Sequence, residues 1–515
     1  MKNLKLFGLA LFVMLLWMRC KKDDPAQPTP SPNVSILSDS VTINPLGYSP
    51  LTAQIELEVD RPVRVEVSVA GKQGTGATIS HSFTEIDSIH VVPVYGLYAG
   101  SSTIVTLSFF DPTGTLVGSK SYVMASQEQM ADLPQIDIDI AENQDIERGL
   151  TLVSYFGHFG NSIPQKVFAF DQYGDIRWYL DYREHPVLQG LFYDVGVEQL
   201  RNGNFYFGDG NTDRIFEITP FGLIVNAWDL PGYDQHHIVF EKPNGNFLVT
   251  VSKKGLVTVE DHIVEVDRQS NSIINEWDLR ASLNPDRQTM INNRSDWIHV
   301  NSVAYDESDN TIIISGRTQG VVKLTEENEV VWILGNHSGW DWSSEGKDVT
   351  AKLLTPLDAM GQTIADPAVL AGTQKHPEFD WNWYQHANKL LSNGNHLLFD
   401  NGPGRNFANN ELYSRVVEYQ IDEENMQVKE IWSYGKERGL ETYSPIVSDA
   451  DFLSEENRIV MSPGAISQGS REFGRVVEVD YITKEVLFEA TITPPVSFYS
   501  ITFHRTERVN LYGKR

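Results

Sequence analysis

The chain has almost no cysteine. Cys20 is the only one in 515 residues, so no disulfide can form within the chain and no thiolate metal site can be built. Positive charge is also scarce: 41 Lys and Arg against 69 Asp and Glu leave a net charge of −28. That excludes nucleic acid or an anionic membrane surface as the main partner, and a small anion would need a local positive pocket. Long apolar runs are missing except near the N-terminus, where Leu6 to Met18 follows Lys2 and Lys5. This run has the length of a secretory signal and is short for a spanning helix. There is no His-Glu-x-x-His motif and no Gly-rich phosphate loop, so neither a zinc-hydrolase helix nor a nucleotide donor is indicated. What is present, 41 % hydrophobic and 11 % aromatic residues, belongs to a folded protein.

Cys20 directly follows the apolar run and precedes Lys21-Lys22-Asp23-Asp24 and a Pro/Thr/Ser stretch. Residues 1–20 resemble a bacterial lipoprotein signal, and the acidic cluster resembles the surface-export tags of Bacteroidetes lipoproteins. One departure is Arg19, which stands where a small residue is usual; an uncleaved signal anchor is the other reading. The resemblance implies export, lipidation at Cys20, and attachment to the cell envelope, in the periplasm or at the outer-membrane surface, with membrane contact through the lipid alone. Residues 21–33 would be a Pro-rich tether.

Residues 34–125 alternate strictly in Ile55–Val59 and Val63–Val69 and carry turn signals between short runs, the pattern of a small N-terminal β-sandwich domain. Residues 126–149 read as a polar, acidic linker. From residue 150 to 515 the chain repeats. An alternating strand, a turn and a second strand ending in an aromatic recur at Trp178, Trp228, Trp277, Trp332, Trp432 and Phe488, spaced 50, 49, 55, 100 and 56 residues apart. The long gap holds an insertion, 336–382. A second set of hairpins lies between these markers. Four strands per unit, six times, at a spacing near fifty predict a six-bladed β-propeller, so the whole chain is expected to be all-β.

Three of the second hairpins carry a histidine at an equivalent point. His237 lies eight residues before Gly245 and His386 eight before Gly394, while His299 opens the third. Innermost strands of a propeller line its channel, so His237, His299 and His386 should converge at one mouth. Asn301 and Asn388, two residues on, should face the same way. Arg317 and the Asp400-Asn401-Gly402 corner end the partner strands at that level. Three histidines suggest zinc, but no acid stands in phase with them and Arg317 beside a dication is unfavourable. His158, His262 and His504 read as structural. The alternative is an anion pocket holding a nucleophile. An imidazole with an ordinary pKa of about 6.5 is nucleophilic near neutrality, and an Arg with further imidazoles would bind the oxygens of a sulfate or phosphate group.

Several motifs carry a resemblance. Asp296-Trp-Ile-His299-Val-Asn301-Ser302-Val303, Ser315-Gly-Arg317-Thr-Gln-Gly320, Gln385-His386 with Phe399-Asp-Asn-Gly-Pro-Gly-Arg405, His236-His237 and Tyr434-Gly-Lys-Glu-Arg-Gly439 make residues 150–515 similar to the bacterial aryl-sulfate sulfotransferases. These are nucleotide-independent enzymes that move a sulfuryl group between phenols. The preceding sandwich also resembles that family's N-terminal domain. The resemblance implies a phenolic sulfate donor, a phenol acceptor, no cofactor and a ping-pong cycle through sulfohistidine at His386. It also implies binding of the sulfuryl oxygens by His299, Asn301 and Arg317, and a homodimer formed through the sandwich. His237, rather than His236, would complete the pocket and act as acid or base, because adjacent strand residues face opposite ways. Ser444 would line it, and Tyr384, Phe498 and Tyr499 are candidates to stack on an aryl ring. A non-catalytic propeller binding module, or a metal-dependent hydrolase or lyase using the same histidines, is the alternative.

Overall fold

The computed structural model describes residues 33–72, 77–141, 149–156, 166–191, 196–289, 293–408, 411–495 and 500–513. The expected signal with Cys20, nearly all of the tether, His158, Phe498 and Tyr499 lie outside these. Among the described residues no helix is long and apolar enough to cross a membrane.

Among the described residues, six antiparallel units of four strands each make the propeller, and in five of them the four strands follow chain order from the innermost outward. Blade 1 runs from Glu198–Gln199 through Phe205–Asp209 and Arg214–Ile218 to Ile224–Asp229. Blade 2 holds Tyr233–Glu241, Phe247–Lys253, His262–Asp267 and Ser272–Asp278. Blade 3 holds Val300–Asp306, Thr311–Gly316, Gly320–Leu324 and Val330–Leu334. Blade 4 holds His386–Leu390, His396–Asp400, Arg415–Asp422 and Gln427–Tyr434. Blade 5 holds Asp449–Leu453, Arg458–Ser462, Arg471–Asp480 and Val486–Thr493. Blade 6 closes the ring with strands from both ends of the chain: the C-terminal Thr502–Val509 is innermost and pairs with Leu150–Phe156, followed by Val167–Phe170 and Ile176–Tyr179. Middle strands are covered by neighbouring blades on both faces, so they are continuous apolar runs. Thr311–Gly316 is buried at every position, whereas the outer strand Ile224–Asp229 is mostly exposed.

The repeated tryptophans have one physical role. Each outer-strand indole N–H donates across to the next blade: Trp178 to the Pro220 carbonyl (2.8 Å), Trp228 to Arg268 (3.0 Å), Trp277 to Thr325 (2.8 Å) and Trp432 to Tyr481 (2.7 Å). Trp332 donates to the Glu423 carboxylate at 2.8 Å. A buried indole needs one such acceptor, and supplying it from the neighbour fastens blade to blade.

The N-terminal sandwich is built on two long strands, Thr52–Val69 and Ile79–Tyr95. Ile36–Ile43 pairs with the first half of Thr52–Val69 and Ser102–Phe110 with the second, the change falling at Asp60–Pro62; Leu116–Ala125 completes the unit. Its apolar face shares one core with blades 5 and 6, joining Ile55, Val67 and Leu107 to Phe170, Phe488 and Phe503. Arg177 of blade 6 is fully buried in this junction and donates to the Gly96 and Ala77 carbonyls, the Tyr98 hydroxyl and Asp171.

One expectation changes. The supposed linker 126–149 contains a strand, Gln135–Ala141, which adds to the outer edge of blade 5 against Val486–Thr493. Ile136, Ile138 and Ile140 are half buried and alternate with exposed polar residues, which is itself a strand pattern set within an acidic segment. The 336–382 insertion is built into the ring. It lends Thr355–Leu357 to the edge of blade 4 and buries Trp340, Phe379 and Trp381 against blades 3 and 4.

Candidate active site

A regular strand would send neighbouring side chains to opposite faces, but the inner strands are not regular where the histidines stand. The pairing register slips between Gln235 and Val239, between Val300 and Ser302, between His386 and Lys389, and between Phe503 and Thr506. His237, His299 and Ala387 adopt φ of 54°, 53° and 54°. Bulges of this kind re-aim side chains, and four blades use one at the same level.

His386 is buried, and its Nδ1 lies 2.7 Å from Asn401 Oδ1. The orientation of that amide is settled by its other end, since Asn401 Nδ2 donates to the Ser444 and Val447 carbonyls at 2.8 and 3.0 Å. The oxygen must therefore face His386, so Nδ1 carries the hydrogen and donates, and Nε2 is left with its lone pair. Burial, and then the positive charge of Arg317, push the His386 pKa well below 6.5, so the ring is neutral at neutral pH. The peptide before it is clamped as well. Asn301 Nδ2 donates to the Gln385 carbonyl (2.7 Å), and Gln385 Nε2 donates to Ser315 Oγ and the Gly316 carbonyl. Next to Asn401, Asp400 is fully buried and accepts from Arg405 and Arg415.

Arg317 lies over the Tyr384 ring at 4.7 Å and 3.8 Å from Asp296, with its Nε buried and unpartnered. It borders an open cleft whose walls include Asn336, Asn382, Trp383, Tyr384 and Phe407.

His299 and His237 meet, Nε2 to Nε2, at 3.0 Å. The expectation that no acid accompanies them fails. Asp296 Oδ2 is 2.8 Å from His299 Nδ1, and Glu260 Oε2 is 2.7 Å from the same nitrogen and 3.1 Å from His237 Nε2. Burial works to lower the His299 pKa, but the two carboxylates prevail and raise it. Asp296 stands three residues before His299, a spacing that could have drawn notice. Glu260 had no local signal, because it turns a corner at φ 55° between strands.

His236 and His504 also differ from expectation. His236 is not turned away from His237: one ring nitrogen of each and the Glu260 carboxylate lie within 4.8 Å of one another, and burial pushes the His236 pKa down to about 4. His504, read as structural, has its ring 5.7 Å from that of His237. Of the residues named from the sequence, His237, His299, Arg317 and His386 come together. Asn301 supports the peptide before His386. Ser444 is fully buried, with its hydroxyl engaged by Ser448, Ala465 and Ile446 and its carbonyl by Asn401. Asn401, Glu260 and Asp296 are the additions.

Residues 138–499 match a family described as arylsulfotransferase (ASST), and residues 40–127 match the arylsulfotransferase Ig-like domain. The arylsulfate sulfotransferase AssT of Escherichia coli is 29 % identical over 88 % of this chain and 90 % of its own. That of Lelliottia amnigena is 28 % identical over the same shares. Among solved structures, a protein of unknown function from Bacteroides caccae aligns at 12 % identity and TM-score 0.37, covering 69 % of this chain and 99 % of its own, too slight a likeness to argue from.

Proposed function

Since the chain belongs to the arylsulfotransferase family, acting on aryl sulfates as a sulfotransferase, we propose that His386 carries the sulfuryl group in a ping-pong cycle. Its Nε2 attacks the sulfur of a phenolic sulfate ester, the S–O(aryl) bond breaks, and the phenolate leaves. The sulfuryl group then resides on Nε2. The oxygen of a second phenol attacks the sulfur, the S–N bond breaks with its electron pair returning to Nε2, and the proton of that phenol passes to His237. The transition state places charge on the sulfuryl oxygens, and Arg317, whose Nε is buried and unpartnered, provides donors for them, each worth roughly 3 kcal/mol, with His299 and His237 beside it. Asn301 acts through the Gln385 peptide, holding His386 in place, and the aryl ring lies in the cleft beside Tyr384 and Arg317.

The observation that carries this reading is the Asn401 amide, pinned by two carbonyls so that His386 presents an unprotonated Nε2. The sequence pattern of residues 1–32 supports a lipid anchor at Cys20 in the cell envelope, and family resemblance alone supports a homodimer. The test is phenol release from an aryl sulfate by purified protein, with and without an added phenol. Release should rise with acceptor and vanish in His386→Asn. A fully active His386→Asn would overturn the assignment and bring the metal-dependent or binding readings forward.

A further inference from the structure

Of the buried arginines among the described residues, Arg177 lies against Asp171, Arg405 and Arg415 against Asp400, and Arg458 against Glu456. Arg287 is the exception. It is 5 % exposed, and its guanidinium donates to uncharged oxygens alone. Nε donates to the Ser338 carbonyl (2.8 Å), Nη1 to the Gln319 carbonyl and Oε1 (3.1 and 2.8 Å), and Nη2 to the Asn336 carbonyl and Oδ1 (3.2 and 3.1 Å). The Trp340 ring covers it, with its centroid 4.2 Å from the guanidinium carbon. Burial pushes the Arg287 pKa down to about 9, so the group is still charged at neutral pH. A buried charge is ordinarily met by an opposite one, because hydrogen bonds to neutral groups return only part of the hydration it has lost. Among the described residues no carboxylate does this for Arg287.

The two amides that hold Arg287 are also walls of the cleft beside Arg317. Gln319 is fully engaged, its Nε2 donating to the Trp297 carbonyl at 2.7 Å. Asn336 is not. Its Oδ1 accepts from Arg287 and from the Ser338 N–H (3.3 Å), which fixes the amide with Nδ2 turned away from both, and among the described residues Nδ2 has no acceptor. A cation on the oxygen of an amide polarises its N–H₂ into a stronger donor. Asn382, Trp383, Tyr384 and Phe407 bring no charge to the cleft, and Asp296 is taken up by Arg317 and His299. We propose that the cleft binds an anionic substituent of the aryl substrate, a carboxylate or a sulfate, hydrogen-bonded to Asn336 Nδ2 and balanced by Arg287 behind it. This rests on the cleft being the aryl site, and it names the substrate class: a phenol, or its sulfate ester, that carries a second, negatively charged group. The ring lies against the aromatic wall while that group reaches Asn336. A net charge of −28 repels such a molecule from most of the surface, so a local positive site decides where it docks.

The experiment is calorimetric titration of the purified protein, with no sulfate donor present, by 4-hydroxybenzoate, 4-hydroxybenzenesulfonate and the neutral 4-hydroxybenzamide. At least one of the two anions should bind about 10-fold or more tightly than the amide, since a hydrogen bond to a charged acceptor is roughly twice as strong as one to a neutral acceptor. Which anion leads tells a carboxylate site from a sulfate site. Asn336→Asp, nearly isosteric, supplies Arg287 with a carboxylate from within the chain, and should reverse the order of anion and amide. The wild-type comparison stands without any variant having to fold. Because no sulfuryl group is transferred in the titration, its failure is distinct from failure of the sulfohistidine cycle, which phenol release tests. Equal binding of all three ligands, binding of none, or an anion preference that Asn336→Asp leaves unchanged overturns the proposal.

Discussion

The substitution Asn401→Leu removes the acceptor from His386 Nδ1 without touching substrate. In the resting enzyme that 2.7 Å bond joins a neutral ring to an amide, and such a bond contributes about 0.5–1.5 kcal/mol. As Nε2 bonds to sulfur the ring becomes cationic, the Nδ1–H bond becomes charge-assisted, and its contribution rises to about 1.5–3 kcal/mol. The difference, about 1–2 kcal/mol, is gained as the donor step proceeds from a neutral to a cationic ring, so that step should slow by up to about 5- to 30-fold. In the pre-loaded enzyme the ring is already cationic, so the bond is as strong in that ground state as in the acceptor transition state. The donor step, measured by the burst of the first phenol, should therefore slow, while transfer from pre-loaded enzyme should not. The substitution also takes the Nδ2 donor away from the Val447 carbonyl, so a melt is needed to confirm that the variant is folded. Slowing of transfer from pre-loaded enzyme with an unchanged burst, or a change in KM alone, would refute the argument.

The pH–rate profile should show no loss of activity through pH 6.5 on acidification, because the buried ring of His386 stays neutral to well below that value; an acid limb centred near 6.5 would count against His386 as nucleophile. His262 is wholly buried between Asp261 (2.7 Å) and Asp278 (3.6 Å), and although burial opposes it, the hydrogen bond to Asp261 and the nearby Asp278 carboxylate raise its pKa to about 9. Its contribution, on the order of 3 kcal/mol, is fully present below the ordinary 6.5 and is lost as pH rises through about 9. Denaturant unfolding at pH 6 and 9.5 should show that loss in the wild type but not in His262→Gln, and equal losses in both would exclude it. Arg177→Met strips four partners at the junction of the sandwich with blade 6, and should cost about 3–5 kcal/mol of stability. The check is a thermal melt, with sulfuryl transfer retained by the folded protein at lower temperature.

Local periodicity determined a good deal of this protein. The six aromatics near fifty-residue spacing report blades because each is the buried end of an outer strand, and strict alternation in Ile55–Val59 reports a sheet with one covered face. The equal offsets of His237 and His386 from Gly245 and Gly394 placed both at one mouth. What the sequence left undecided depends on contacts that cross from blade to blade or on backbone that departs from the pleat. Left-handed φ at His237 and His299 sets aside the two-residue alternation, so His236 joins His237 and does not oppose it. Blade 6 draws its inner strand from the far end of the chain and so brings His504 to the cluster. Glu260 reaches His299 only because blades 2 and 3 are packed side by side. Asn401 sits in a corner that the sequence marked, but its role became readable only once the Ser444 and Val447 carbonyls, more than forty residues onward, fixed which way its amide points.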